Sequence, residues 1–329
     1  MTAMMKINQI FDAIDRLEEA HILLAALELK LFTILKQKKL SAVNISRQCG
    51  CSREELEILL NALVAMGALR KTNRLFHNTS ETYRYLCESS PYYKRGTVSL
   101  NQGNRDEWQN LLSTLRKGRD SEGYQGEDDP AGRQDFTHAM HERSVLYAHR
   151  IAEIATRQPV GRLCDLGGGP GSYSAAILKA DRSGRAVLID RPAALQVARE
   201  LLKNSPLLKR FDFIEGDFFD AEIPKPIDTL LYSNILHIYN KKNNLKLLKR
   251  IHRALVPGGR ILMVDLFLKE NLTEPLPAAF FSLTMLMYTE EGRTYTFTET
   301  REMLRSLGFG SIKCFDLGHG SSLMEAVKK

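Results

Sequence analysis

The sequence predicts a doubly wound α/β sheet with a C-terminal antiparallel hairpin, preceded by an all-helical, winged-helix-like domain. Three observations carry this expectation. From Gly161 onward, short apolar runs alternate with helical stretches, the pattern of a parallel sheet covered on both faces. The first of these runs ends in "DLGGGPG", where four glycines fall within five residues just before a helical segment. Up to about Tyr93, apolar residues recur at helical spacing, interrupted by one hairpin-like stretch.

A length of 329 residues suits two domains, and 43% hydrophobic with 26% charged residues is the balance of a soluble globular chain, which excludes a disordered one. The net charge of +7 suits anionic ligands but does not by itself argue for nucleic acid. The cysteines (Cys49, Cys51, Cys87, Cys164 and Cys314) are odd in number and lack zinc spacing, so they read as reduced thiols of a cytoplasmic protein. No signal peptide is visible, and no apolar stretch reaches the ~18 residues of a membrane span.

Residues 1–95 form the first expected domain. Val43 to Cys49 reads as a short helix, Gly50 as a turn, and Ser52 with Glu55 as the capping box of a second helix. A basic hairpin, Leu69 to His77, follows, which completes a winged-helix order. Glu54, Glu55 and Glu57 make the second helix a poor face for phosphates, so the domain is expected to pair proteins rather than bind nucleic acid. Ile10, Ile14, Leu17, Ile22, Leu23, Leu24 and Leu27 exceed what one stripe of a small domain needs, and predict a homodimer.

Residues 96–157 read as a helical linker broken by "DSEGYQGEDDPAGR", a loop, after which "QDFTHAMHERSVLYAHRIAEIA" resumes as one helix. Residues 158–329 form the sheet domain. Its strands are expected at 163–166, 186–189, 211–214, 229–232 and 261–264, with helices such as 192–203 and 243–255 between them. "IKCFDLGHGSSLMEAVKK" closes the chain as a hairpin on the sheet edge.

The glycine loop follows the first strand, where doubly wound sheets bind ligands. Its spacing is Asp165-x-Gly167-x-Gly169-x-Gly171, with Ser172 where a dinucleotide fold has its third glycine. An aspartate here repels a pyrophosphate and attracts a cationic amino group. Asp190 ends the second strand, placed for ribose hydroxyls. "EGDFF" ends the third, with Asp217 for an adenine amino group and Phe218 for its ring. Ser233, at the end of the fourth strand, joins this set. Amino acid, ribose and adenine without phosphate describe S-adenosylmethionine.

With "DLGGGPG", "LIDRP", "EGDFF", "ILHIY", "LVPGGRILMVD" and "EEGRTYTFTE" in place, nearly the whole chain resembles the plant-type O-methyltransferases, which include caffeic acid and acetylserotonin methyltransferases, in their bacterial branch. The resemblance implies an S-adenosylmethionine-dependent methyltransferase of a small aromatic acceptor and an N-terminal dimerisation domain. It also implies His237 as general base, with Asp265, after the fifth strand, beside it. Trp108, Phe136 and Met140 are then expected near the acceptor, and Met287 in the methionine-rich "AAFFSLTMLMY" joins them.

Two positions depart from the family pattern. Ile238 and Tyr239 follow the histidine, where the family has aspartate and tryptophan. Gly292 stands before Arg293, with the carboxylate, Glu291, one step back. These departures keep alternatives open: a carbon, nitrogen or sulfur acceptor methylated by proximity, or an inactive member acting as a ligand- or DNA-binding regulator. A nicotinamide-dependent oxidoreductase is disfavoured by Asp165 and Ser172.

Overall fold

The computed structural model describes residues 4–103, 107–119 and 129–329. The chain divides into two compact units, Met1–Arg105 and Asp106–Lys329. Of the loop expected over 120–133, residues 120–128 lie outside the described residues.

The first unit comprises α1 (Ile7–Glu28), α2 (Leu31–Leu35), β1 (Leu40–Ser41), α3 (Ala42–Cys49), α4 (Arg53–Ala65), β2 (Leu69–Thr72), β3 (Leu75–Asn78), α5 (Ser80–Leu86) and α6 (Arg95–Gly103). Phe32, Ile45, Leu60, Leu63 and Phe76 close its core. The expected hairpin is β2–β3, but a third strand joins it: Leu40 and Ser41 pair with Phe76 and Leu75. Ser41 ends that strand and also caps α3 by accepting from the Asn44 amide at 3.3 Å.

The capping box expected at Ser52 does not form. Ser52 is the N-cap of α4, yet its hydroxyl donates to the Glu55 carboxylate instead of accepting a backbone amide. Along α1, Ile7, Ile10, Phe11, Ile14 and Leu17 stay exposed on one helical stripe, whereas Ile22, Leu23 and Leu27 pack on the core.

The second unit begins with a 3-10 turn (Glu107–Asn110), α7 (Leu111–Lys117), α8 (Pro130–Ser144) and α9 (Ala148–Ala155). The segment expected as one helix is therefore two. The Ser144 hydroxyl donates to the His141 carbonyl at 2.6 Å, and the amides of Leu146 and Tyr147 fall back on carbonyls three residues earlier, so the α ladder ends there.

There follow β4 (Arg162–Leu166), α10 (Ser172–Ala180), β5 (Arg185–Asp190), α11 (Pro192–Leu202), β6 (Phe211–Glu215), β7 (Ile227–Ser233), α12 (Lys241–Ala254) and β8 (Leu255–Leu268). The chain continues through α13 (Leu276–Tyr288), β9 (Tyr295–Thr296), α14 (Phe297–Ser306), β10 (Phe309–Gly318) and β11 (Ser321–Lys328). The sheet order is β10-β11-β8-β7-β4-β5-β6, with β9 added to β8. All five expected parallel strands are present, each longer than its apolar run. The chain steps outward from β4 through β5 to β6, then returns to β7 on the other side. That reversal opens the crevice between the ends of β4 and β7.

One polar link crosses the sheet far from this crevice. Arg260, on β8, is 3% exposed and donates to Glu325 of β11 at 2.8 Å. Its second arm reaches the carbonyls of Ala155 and Gln158, which binds the end of α9 to the sheet. Arg260→Met strands a buried carboxylate and two carbonyls. It should cost about 3–5 kcal/mol in urea unfolding, and adding Glu325→Leu should restore much of that loss. A single-variant loss below about 1 kcal/mol would show that the link carries no such load.

Candidate active site

Gly167 is where three strand ends meet. Its φ of +65°, together with +53° at Gly169 and +66° at Gly171, folds the loop after β4 through conformations that side-chain-bearing residues rarely adopt. A Cβ at Gly167 would lie 2.6 Å from the Ile235 side chain beyond β7 and 3.3 Å from the Phe218 ring beyond β6. At Gly168 a Cβ would collide with Asp165 and Leu188, whereas Gly169 has only Thr137 near it, at 3.9 Å. The loop thus leaves room for a ligand over Gly169.

Asp190 fastens this loop from β5. One carboxylate oxygen accepts the Gly169 amide at 2.7 Å and the other accepts the Arg191 amide at 2.7 Å. Burial raises its pKa above the ordinary value. Both oxygens retain acceptor capacity. Asp217 accepts the Phe219 amide at 2.8 Å and lies 3.6 Å from Arg191. Arg250 of α12, which sequence reasoning missed, holds this loop by donating to the carbonyls of Phe218 at 2.6 Å and of Ala221.

Asp165 is 1% exposed, and its Oδ1 has no hydrogen-bond partner. Burial pushes its pKa up to about 7, against the opposing pull of a Ser174 hydrogen bond. A carboxyl this deep, with one oxygen bare, fits a cationic amino group, whose charge favours its ionised form. Ser172, the residue that spoils the dinucleotide spacing, meets His141 of α8 at 2.8 Å and so docks α8 on the loop.

His237 lies in a 3-10 turn, Leu236–Ile238, and is 7% exposed. Its Nδ1 meets Asp265 Oδ1 at 2.7 Å, and its backbone amide donates to Asp265 Oδ2 at 3.3 Å. An ionised carboxylate only accepts, so Nδ1 carries the proton and Nε2 the lone pair. The Phe281 ring meets the imidazole edge-on at 4.7 Å. Asn244, fully buried on α12, donates to the carbonyls of Leu236 and Tyr239 at 2.8 Å each, which clamps both ends of the turn. Asn234 enters it with φ +57° and bonds Tyr173, whose hydroxyl is pushed up to about 12, chiefly by burial.

The second departure, at Glu291 and Gly292, has a structural counterpart. Glu291 turns away from it: its carboxylate accepts from the Asn240 amide at 3.2 Å, the Asn240 side chain, and Asn243 at 2.6 Å. A Cβ at Gly292 would collide with the His237 carbonyl, so backbone occupies that space. Among the described residues the imidazole therefore rests on one carboxylate.

The expected acceptor residues sit on three elements. Trp108 and Phe136 are 42% and 43% exposed, on the 3-10 turn before α7 and on α8. Met140 and Met287 are half-buried, and Ser233 is buried at the end of β7. Phe281 is the aromatic residue of α13 seated on His237, whereas Phe280 is 62% exposed.

Residues 108–310 match the family described as the O-methyltransferase domain, and residues 11–87 match the O-methyltransferase dimerisation domain. The chain is 30% identical to the tetracenomycin polyketide synthesis 8-O-methyl transferase TcmO of Streptomyces glaucescens, over 88% of each chain. It is 29% identical to the acetylserotonin O-methyltransferase of Bos taurus, over 90% of each. The fold superposes on human N-acetylserotonin methyltransferase in complex with SAM with a TM-score of 0.83, at 24% identity, covering 100% of this chain and 99% of that one. No helix among the described residues is long and apolar enough to cross a membrane.

The buried carboxyl of Asp165 makes a pH-dependent prediction. Its pKa rises from 3.8 to about 7 on folding, so between these values the native state keeps a proton that the unfolded chain has released. The stability it lends is full below the lower value and is lost as pH rises through the higher one. Asp165→Asn escapes that loss. Urea unfolding of ligand-free protein should show the variant gaining roughly 2–4 kcal/mol on the wild type between about pH 4 and pH 8. A pH-independent difference would remove the buried acid.

Proposed function

The chain belongs to the O-methyltransferase family, and from that premise we propose that it methylates a hydroxyl group of a small aromatic acceptor, with His237 as general base. The methyl donor is S-adenosylmethionine. When bound, it supplies a sulfonium methyl group open to in-line displacement. Asp165 accepts the donor's amino group with its bare oxygen. Asp190 takes the ribose hydroxyls with its spare acceptor capacity, and Asp217 and Phe218 take the adenine. Gly167, Gly169 and Gly171 bring backbone to the donor, with Ser233 at the rim.

The observation that carries the base assignment is the 2.7 Å contact between His237 Nδ1 and Asp265. It leaves the Nε2 lone pair to receive a phenolic proton and stabilises the imidazolium that forms. Trp108, Phe136, Met140 and Met287 line the acceptor side, and the aromatic substrates named for the tetracenomycin and acetylserotonin relatives support a flat ring there.

Three parts divide the work in this reading. Residues 1–95 dimerise, 96–157 supply acceptor-side helices, and 158–329 hold the donor. The enzyme works in the cytoplasm, where its free cysteines stay reduced. The match to the dimerisation domain and the exposed stripe of α1 support a homodimer.

The decisive test of the base is His237→Gln, assayed against a panel of weakly acidic phenols. Turnover should fall at least about 10²-fold while donor affinity by calorimetry holds within about threefold. A loss under about threefold on the best acceptor would instead favour carbon, nitrogen or sulfur methylation by proximity. For assembly, Ile10→Asp combined with Ile14→Asp places two charges on the exposed stripe. Light scattering should then give a monomer where the wild type gives a dimer; an unchanged dimer would move the interface elsewhere.

A further inference from the structure

We propose that Arg119 is a positioning residue for His237, acting through the turn that connects α13 to Arg293. The proposal rests on the reading of His237 as base. Behind it stands a continuous set of contacts.

The turn opens where α13 ends. The Thr289 hydroxyl donates to the Met285 carbonyl at 2.6 Å and accepts the Gly292 amide at 2.8 Å. Gly292 then lies flat against the histidine's backbone. A Cβ there would collide with the His237 carbonyl and with Thr289, and would come within 2.9 Å of the Ile238 carbonyl. The next amide, of Arg293, donates to the His237 carbonyl at 2.8 Å. The turn thus grips the histidine by its backbone, while Asp265 holds the ring.

Arg119 closes the turn from outside. One arm of its guanidinium donates to the Thr289 carbonyl at 3.0 Å and the other to the Gly292 carbonyl at 2.7 Å. A planar fork suits two carbonyls three residues apart better than a point charge does. Burial pulls the pKa of Arg119 below the ordinary value, against the opposing negative charge of Glu291. Gly118, with φ +85°, ends α7 in a conformation open to glycine and directs the chain to this position. Arg119 is half-buried and meets neither Asp265 nor the imidazole in these bonds. Its effect on the base therefore passes through the turn.

The consequence is geometric. Where the family pattern places a carboxylate near the histidine, this chain has Gly292 backbone, and a backbone contact holds position only if the turn itself is held. Displacements well below 1 Å at a proton acceptor are costly to the rate. Removing the fork leaves two carbonyls to water and frees the turn to shift.

Arg119→Ala should lower kcat about 10-fold on the best phenolic acceptor, with donor affinity within about twofold of wild type. Arg119→Lys, able to serve one carbonyl at a time, should fall between them. In a His237→Gln background the same substitution should cost less than about twofold, because the group it positions is gone. A second readout needs no acceptor. In protein labelled with 15N-histidine, the downfield Nδ1 proton of His237, assigned by its loss in His237→Gln, should shift or broaden in Arg119→Ala. If His237→Gln cripples turnover but Arg119→Ala leaves kcat and that proton unchanged, the positioning role is overturned and the base stands. A kcat loss that persists undiminished in the His237→Gln background also overturns it, as a general structural effect. If His237→Gln itself retains turnover, the base reading fails, and the positioning role fails with it.

Discussion

The carboxylate of Asp265 is the constraint on which the site depends. It is 1% exposed at the end of β8 and accepts three N–H groups: the imidazole Nδ1, the His237 amide and the Leu266 amide at 2.8 Å. Three donors offset the cost of burying its charge. Because it takes both the ring and the backbone of His237, it sets the tautomer and the place of the imidazole together. The sheet order requires the rest. β7 must lie beside β8 for the turn after one to reach the carboxylate on the other, and Asn244 must come back on α12 to hold that turn shut.

A second buried carboxylate shows the opposite design. Asp165 is as deeply buried as Asp265 but keeps an oxygen without a partner. Its burial is only partly offset, by a Ser174 hydrogen bond, and its pKa rises. One acid is satisfied by the fold and holds a neighbour; the other keeps an acceptor oxygen free. The distinction lies in counted donors, not in depth.

Much of this could be read from residues alone. The alternation of strands and helices, the glycine loop, the acids at strand ends and the histidine after the fourth strand are short-range patterns that the chain declares locally. What escaped notice is of another kind. Asn244, Arg250 and Arg119 act on backbone carbonyls far along the chain, and no spacing rule marks a side chain that binds carbonyls. Gly292 looked like a lost carboxylate; its role as the one residue that clears the His237 carbonyl needs coordinates. Ser52 with Glu55 matched a capping box by letter, yet the two side chains bonded each other. The break at Val145 was hidden because helical periodicity continues across it while a serine hydroxyl takes the ladder's carbonyl.

The order of the sheet also bears on how the chain is made. β11 lies between β8 and β10, but it is synthesised after both. While β10 leaves the ribosome, the backbone of β8 faces outward with no neighbour on that side. An unpaired edge of this kind invites pairing with other chains. The His319–Gly320 corner joins β10 to β11. With φ of +51° and +82°, it turns β11 straight back on β10, and β11 pairs with β8 on its other side. A chain that stops before this corner carries every acid, glycine and histidine of the site on a sheet whose edge at β8 is still open.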